Sequence, residues 1–219
     1  MTTQLGVFAK YWLPGAVKTR LAATIGAEPA SRVYLAGLTT TLQRFSSTAD
    51  RRVLEIWPPE EQPAFDQLAG GDWEVRPQIS GDLGQKMEHY FRVSLESGAE
   101  RVALIGSDSP TMPAEYLEQT WELLKRFPVV LGPSEDGGYY LVAAAENVPP
   151  IFSGIAWSSP QVWEQTVEKL RAANIPFGVA PTWWDVDEYQ DLQRLRRELE
   201  TETLAPPLEK LRAEIRRLA

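Results

Sequence analysis

The chain of 219 residues contains no cysteine and only one histidine. Disulfide bonds and thiolate metal sites are therefore excluded, and the absence of cysteine fits a reducing compartment. No apolar run approaches the roughly 18 residues of a membrane span, and the chain does not open with the charged and apolar regions of a signal peptide. These absences predict a soluble cytoplasmic protein without a membrane partner.

An excess of positive charge is also missing, because the formal net charge is −8 and the pI is about 4.9. Duplex nucleic acid is bound through broad basic surfaces, so nucleic acid is excluded as an expected partner. The hydrophobic fraction of 43% is enough for one full core. We expect one domain over residues 1–204 and a C-terminal amphipathic helix over 205–219, packed on that domain or on a partner in a homodimer.

Strand-like apolar runs alternate with helix-like stretches along the chain. This order predicts an α/β fold with a mostly parallel central sheet flanked by helices. Two acidic segments each follow an apolar run directly, 106–110 behind 102–105 and 132–139 behind 129–131. Ligands of open α/β sheets bind beyond the carboxyl ends of the strands, so we expect Asp108 and Asp136 at neighbouring strand ends on that edge.

The loop after the first apolar run gathers three cations, Lys10, Lys18 and Arg20, around Gly15. Glycine lets backbone approach a ligand closely, and lysine and arginine supply a point charge and a bidentate fork for phosphate. The loop is not a Walker A motif, because residues 16–17 separate the glycine from the lysine. The alternative is that these cations are ordinary solvated charges.

An aspartate at a strand end can hold Mg²⁺, which prefers oxygen ligands and shares its shell with substrate phosphates. Each candidate also has a purely structural interpretation. Asp108 could cap a turn or helix, Asp136 could shape an Asp-Gly-Gly turn, and Asp185 and Asp187 could cap the next helix. The convergence of acidic strand ends with cations on the first loop favours a metal and phosphate site.

Motifs along almost the whole chain resemble a bacterial family of GT-A-type glycosyltransferases, some members of which are assigned to arsenosugar biosynthesis. The matching stretches are 8–10, 14–21, 81–84, 105–110, 131–141, 157–158, 185–187 and 191–192. That family is similar in turn to 2-phospho-lactate guanylyltransferase and the molybdenum-cofactor guanylyltransferases. The resemblance implies a single-domain nucleotide-diphospho-sugar transferase fold, a divalent cation (Mg²⁺ or Mn²⁺) and an activated nucleotide donor.

The resemblance also implies roles for individual residues. Asp108 would be the first metal ligand and Asp187, preferred over Asp185, the second. Phosphate contacts would come from the first loop, through Lys10, Gly15, Lys18 and Arg20, and nucleoside contacts from Gly81, Asp82 and Gly84. Trp12 stands where family members usually carry proline, and Glu188 follows Asp187 where threonine is usual.

Two chemistries and one non-catalytic role remain open. In glycosyl transfer from a nucleotide sugar to a small-molecule acceptor, a carboxylate base deprotonates the acceptor hydroxyl, and Asp136 is the candidate. In nucleotidylyl transfer, a nucleoside triphosphate joins a phosphorylated small molecule and pyrophosphate leaves. The Asp-Gly-Gly-Tyr segment resembles the glycosyltransferase family and not the guanylyltransferases, whereas the paired Lys18 and Arg20 suit a triphosphate. We expect glycosyl transfer, with nucleotidylyl transfer as the alternative. The third possibility is a nucleotide-binding module without turnover.

Overall fold

The computed structural model describes residues 1–201 and 203–218. In this part of the chain one mixed sheet contains β1 (Thr3–Lys10), β2 (Arg51–Trp57), β3 (Glu74–Pro77), β4 (Arg101–Gly106), β5 (Val129–Pro133), β6 (Tyr139–Ala145) and β7 (Phe177–Val179). The strands lie in the order β3-β2-β1-β4-β6-β5-β7. β6 pairs antiparallel with β4 and β5, and the other neighbours are parallel.

Helices cover both faces of the sheet. They are α1 (Thr19–Ile25), α2 (Ala27–Arg44), α3 (Gln62–Ala69), α4 (Leu83–Glu96), α5 (Ala114–Leu123), α6 (Val162–Ala172), α7 (Tyr189–Glu198) and α8 (Pro206–Arg217). None of the helices in the described residues is long and apolar enough to cross a membrane.

The start of α4 shows how sequence sets one of these elements. The Asp82 carboxylate accepts a hydrogen bond from the Gln85 backbone N–H at 2.8 Å, and the Gln85 side chain accepts one from the Asp82 N–H at 3.0 Å. This capping box satisfies two backbone donors that have no partner inside the helix. Met87, Tyr90 and Phe91 then bury one face of the helix against the sheet.

The sheet separates two apolar clusters. Leu5 and Val7 of β1 point to the face covered by α2, while Phe8 packs on the opposite face against Tyr90 of α4. This alternation follows from the two-residue repeat of a strand. A third cluster joins α1, α2, α7 and α8, where Leu211 and Ile215 of the last helix are each 1% exposed. The C-terminal helix therefore packs on the body of the chain, mainly along α2.

The mostly parallel α/β sheet agrees with the sequence prediction. The prediction that Asp108 and Asp136 lie at the ends of neighbouring strands is wrong. β6 lies between β4 and β5, so Asp108 and Asp136 do not follow adjacent strands. The cause is the short turn after Ser134, in which Gly137 adopts φ +89° and the chain returns antiparallel beside β5. Residues 183–187 also form no strand, apart from one isolated bridge between Ser134 and Trp183.

Candidate active site

The carboxyl edge of the sheet collects the loops that carry most of the candidate residues. The segment 183–187 runs alongside the ends of β4 and β5. The Trp183 N–H donates to the Pro133 carbonyl at 3.0 Å, and the Val186 N–H donates to the Asp108 carbonyl at 2.9 Å. These backbone bonds bring the late acidic segment to the acidic end of β4, although the two are far apart in sequence.

Lys18 joins the two aspartates predicted to hold a metal. Its ammonium is 3.0 Å from Asp187 Oδ1 and forms a second ion pair with Asp108 Oδ1. Its side chain is only 5% exposed. Burial acts to lower the pKa of Lys18, but the charges of Asp108 and then Asp187 outweigh it and raise the pKa above its ordinary value. Lys18 is therefore charged and fixed between the two carboxylates.

The donor set formed by Asp108 and Asp187 fits a divalent cation. Both carboxylates already converge on one positive group, the Lys18 ammonium, and oxygen ligands are what Mg²⁺ and Mn²⁺ prefer. Within residues 1–201 and 203–218, no group of three or more His, Cys, Asp or Glu side chains is placed to hold a metal. A cation at this pair would take its remaining ligands from phosphate oxygens and water.

Asp185 has a different environment from Asp187, two residues away. Its carboxylate accepts hydrogen bonds from the hydroxyls of Ser109 and of Ser134, the latter at 3.0 Å. Burial raises the pKa of Asp185 to about 6, and the negative charge of Asp108 adds to this rise while the serine hydrogen bonds oppose it. Asp185 thus connects the ends of β4 and β5.

Asp187 is held by the start of α7. The Asp191 carboxylate accepts hydrogen bonds from the N–H groups of Asp187 and Glu188, at 3.0 and 2.7 Å. The side chains of Asp108 and Asp187 remain 41% and 46% exposed. A ligand from solvent can therefore reach both carboxylates while their backbones stay fixed.

Tyr34 of α2 is a site residue that sequence reasoning missed. Its hydroxyl oxygen accepts hydrogen bonds from the Lys10 N–H at 2.8 Å and from the Ser107 hydroxyl at 3.0 Å. Burial, together with the nearby charge of Asp108, raises the pKa of Tyr34 to about 12. Tyr34 therefore joins the end of β1 to the loop of Asp108, and no local sequence pattern distinguishes it from an ordinary core aromatic.

Asp136, the predicted base, lies on the turn between β5 and β6. Its side chain is exposed, and Oδ1 accepts a hydrogen bond from the Gly138 N–H at 2.9 Å. The carboxylate is near enough to contribute to the raised pKa of Asp185. The turn geometry accounts for this aspartate structurally, so its role as a base stays a prediction.

The other first-loop residues are open to solvent. Lys10 ends β1 and is exposed. Gly15 has φ +83°, and no atom of the described residues lies within 4 Å of an added Cβ. Arg20, on the first turn of α1, has NH1 3.9 Å from Glu188 Oε1 in an exposed pair. Phosphate contacts by these residues stay predictions. Trp12, in the same loop, packs against Phe65 with ring centroids 5.2 Å apart.

The three residues predicted to lie near a nucleoside precede or begin α4. Asp82 caps the helix, and Gly81 has φ +139°. Gly84 has no room for a side chain, because an added Cβ would lie 2.0 Å from the Phe152 carbonyl oxygen and 2.8 Å from Trp157 Nε1. These glycines have a structural reason to be present, and their contact with a nucleoside stays a prediction.

Comparisons with known proteins extend this description. The model of the bacterial family DUF2064, described as uncharacterized protein conserved in bacteria, matches residues 41–159. No curated protein matches the chain. A proposed nucleotide-diphospho-sugar transferase from Desulfovibrio desulfuricans G20 is 31% identical, with a TM-score of 0.90 over 100% of this chain and 99% of that one.

More distant structures share the fold. A nucleotidyl transferase from Methanothermobacter is 17% identical, with a TM-score of 0.63 over 90% of this chain and 97% of that one. A Mycobacterium tuberculosis H37Rv protein, solved as a complex with manganese, is 14% identical, with a TM-score of 0.54 over 89% and 97%. The chain therefore has the nucleotide-diphospho-sugar transferase fold expected from its motifs.

Proposed function

The chain belongs to the DUF2064 family of bacterial proteins, and from this premise and the geometry of the acidic site we propose that it is a metal-dependent transferase that uses an activated nucleotide donor. We propose glycosyl transfer from a nucleotide sugar to a small-molecule acceptor as its reaction. The relative from Desulfovibrio desulfuricans, which matches over the full length, is named for nucleotide-diphospho-sugar transfer and supports this choice.

One observation carries the proposal: Asp108 and Asp187, from loops 79 residues apart, converge on a single positive group at the carboxyl edge of the sheet. Two carboxylates and one ammonium leave one net negative charge there, which attracts a cation. A divalent cation bound there would neutralise charge that develops on a leaving nucleoside diphosphate. A protein with this fold was solved as a complex with manganese, which supports a divalent cation as the partner of such a site.

In this reaction the residues of the site would have different roles. Asp108 and Asp187 would hold the cation, while Asp185 and Tyr34 fix the loops that carry them. Asp136 accepts the proton of the acceptor hydroxyl as the new bond to the sugar forms and the bond to the diphosphate breaks. Its exposure lets an acceptor approach from solvent.

Nucleotidylyl transfer is the second candidate. Among residues 1–201 and 203–218, the exposed Arg20 guanidinium makes one long ion pair, at 3.9 Å, and so is available for a triphosphate. The nucleotidyl transferase fold of the Methanothermobacter protein is compatible with this reaction. In this case the attacking group is a phosphate that is already ionised, and Asp136 would have no proton to remove.

A product assay separates the two reactions. The protein is incubated with Mn²⁺ and either a panel of nucleotide sugars or a panel of nucleoside triphosphates, and released nucleoside diphosphate and pyrophosphate are measured separately. We expect nucleoside diphosphate from a nucleotide sugar, and we expect its release to be lost on chelation and in Asp108→Asn and Asp187→Asn.

The matched control is Asp66→Asn, because Asp66 is an exposed aspartate of α3 and is not one of the two carboxylates paired with Lys18. This variant should keep full activity. Release of pyrophosphate from a nucleoside triphosphate would contradict glycosyl transfer and support nucleotidylyl transfer as the reaction. Activity that persists in both Asp108→Asn and Asp187→Asn would contradict the metal site for either reaction.

A further inference from the structure

A second group of cations lies on the opposite side of β1 from Lys18. Lys10 and Trp57 are paired in register at the ends of β1 and β2. Because side chains alternate along a strand, both belong to the face that carries Phe8, which is covered by α4. Lys86, in the first turn of α4, places its Nζ 4.3 Å from the centre of the Trp57 ring.

The two lysines share this position without a negative partner. Burial lowers the pKa of Lys86, and the charge of Lys10 lowers it further, so the two ammonium groups repel each other. No carboxylate of residues 1–201 or 203–218 lies within ion-pair distance of either lysine. In a chain with a net charge of −8, two adjacent unpaired cations at the ligand-binding edge point to an anionic ligand.

The contrast with Lys18 indicates which cations attract phosphate. The charge of Lys18 is offset by Asp108 and Asp187, and that triad carries a net negative charge. Lys10 and Lys86 carry two positive charges, and neither forms an ion pair with a carboxylate in the part of the chain that the structure describes. An anion between them would remove their mutual repulsion and gain charge-assisted hydrogen bonds from both.

We propose that Lys10 and Lys86 together bind a phosphoryl group of the substrate, with the Trp57 ring beneath the Lys86 ammonium. The substrate class rests on the proposed function, but the binding of a phosphoryl group does not. The group belongs either to the nucleotide donor or to a phosphorylated acceptor, since both carry the same anionic oxygens.

Inorganic pyrophosphate in the presence of a chelator tests this site without metal or nucleoside. Its affinity is measured by calorimetry for the unmodified protein, Lys10→Met and Lys86→Met. Each substitution should weaken binding by about tenfold or more, the effect of losing one charge-assisted hydrogen bond. Lys210→Met is the matched control, because it removes one exposed positive charge from α8 and should leave the affinity unchanged.

Lys86→Arg keeps the charge and should keep most of the affinity, which separates charge from packing on Trp57. Unchanged pyrophosphate affinity in Lys86→Met, with a lowered Tm, would overturn the proposal and leave Lys86 as a packing residue. Absence of pyrophosphate binding to the unmodified protein would also overturn it. Should either Met variant fail to fold, Lys10→Gln and Lys86→Gln provide the same comparison.

The same variants identify the source of the phosphoryl group. CTP and glycerol phosphate are titrated in parallel, and a loss confined to CTP assigns the site to the nucleotide, whereas a loss confined to glycerol phosphate assigns it to the acceptor. No loss with either compound would contradict the site. Pyrophosphate binding through both lysines without any nucleotide binding would refute the proposed function and leave the phosphoryl site standing.

Discussion

Lys18→Met removes the positive charge that holds the two carboxylates of the candidate metal site together. Breaking a fully buried ion pair costs about 3–5 kcal/mol. The Asp108 and Asp187 side chains are 41% and 46% exposed, so solvent screening reduces the expected loss to about 1–2 kcal/mol. For a chain of this length that corresponds to a fall in Tm of about 2–8 °C without metal.

The same substitution should strengthen Mn²⁺ binding, because the cation no longer competes with the ammonium for Asp108 and Asp187. A ligand at 100 times its Kd stabilises the native state by about 2.7 kcal/mol. Addition of Mn²⁺ should therefore raise the Tm of Lys18→Met more than that of the unmodified protein. Thermal unfolding over a Mn²⁺ series, with calorimetric titration at one temperature, measures both effects.

Lys125→Met is the control for net charge, because Lys125 pairs with Glu122 on the surface of the chain. It should change neither the Tm nor the response to Mn²⁺ measurably. If Mn²⁺ stabilises Lys18→Met and the unmodified protein by the same amount, the Lys18 ammonium does not occupy the position of the metal, and the reasoning is refuted.

Three further predictions concern single positions. Burial raises the pKa of Glu55 to about 7, so the native state retains a proton that the unfolded chain loses near pH 4.5. The free energy of unfolding therefore falls as the pH rises between these two values. In denaturant titrations, Glu55→Gln should be as stable as the unmodified protein at pH 4 and more stable by about 1–3 kcal/mol at pH 8. Gly84→Ala should lower stability by about 1–3 kcal/mol through the clash with the Phe152 carbonyl, and an unchanged unfolding midpoint would contradict this packing. Asp136→Asn can still accept the Gly138 hydrogen bond, so its Tm should hold while glycosyl transfer falls by at least about 10²-fold; near-normal turnover would remove Asp136 as the base.

The strands could be predicted from sequence because each is a short apolar run bounded by turn residues. The 102–105 run became β4 and the 129–131 run became β5, close to their predicted bounds. The insertion of β6 between them was not predictable from periodicity, since a hairpin and a crossover can both follow an apolar run. α1 could not be predicted, because it has seven residues and buries only Leu21. Its N-cap is Lys18, which has φ +48° and is not a usual N-cap residue.

Site residues could likewise be predicted where local sequence places them, and could not where contacts between distant segments do. The position of Asp108 at the carboxyl edge of the sheet could be predicted, because it follows an apolar strand by two residues. The ion pairs of Lys18 could not be predicted, because they connect positions 90 and 169 residues apart and depend on where α1 begins. Lys86 was missed because a single lysine on a helix carries no signal until the fold places Trp57 and Lys10 beside it.

Titration of Mn²⁺ by electron paramagnetic resonance tests the central claim most directly. Free Mn²⁺ is counted for the unmodified protein, Asp108→Asn, Asp187→Asn and the control Asp66→Asn, with and without the nucleotide that binds best. We expect one Mn²⁺ site in the unmodified protein, with a higher affinity for Mn²⁺ when nucleotide is present. Asp66→Asn should keep this affinity, and Asp108→Asn and Asp187→Asn should each weaken it by at least about tenfold. Equal Mn²⁺ binding by all four proteins would contradict the assignment of Asp108 and Asp187 as metal ligands.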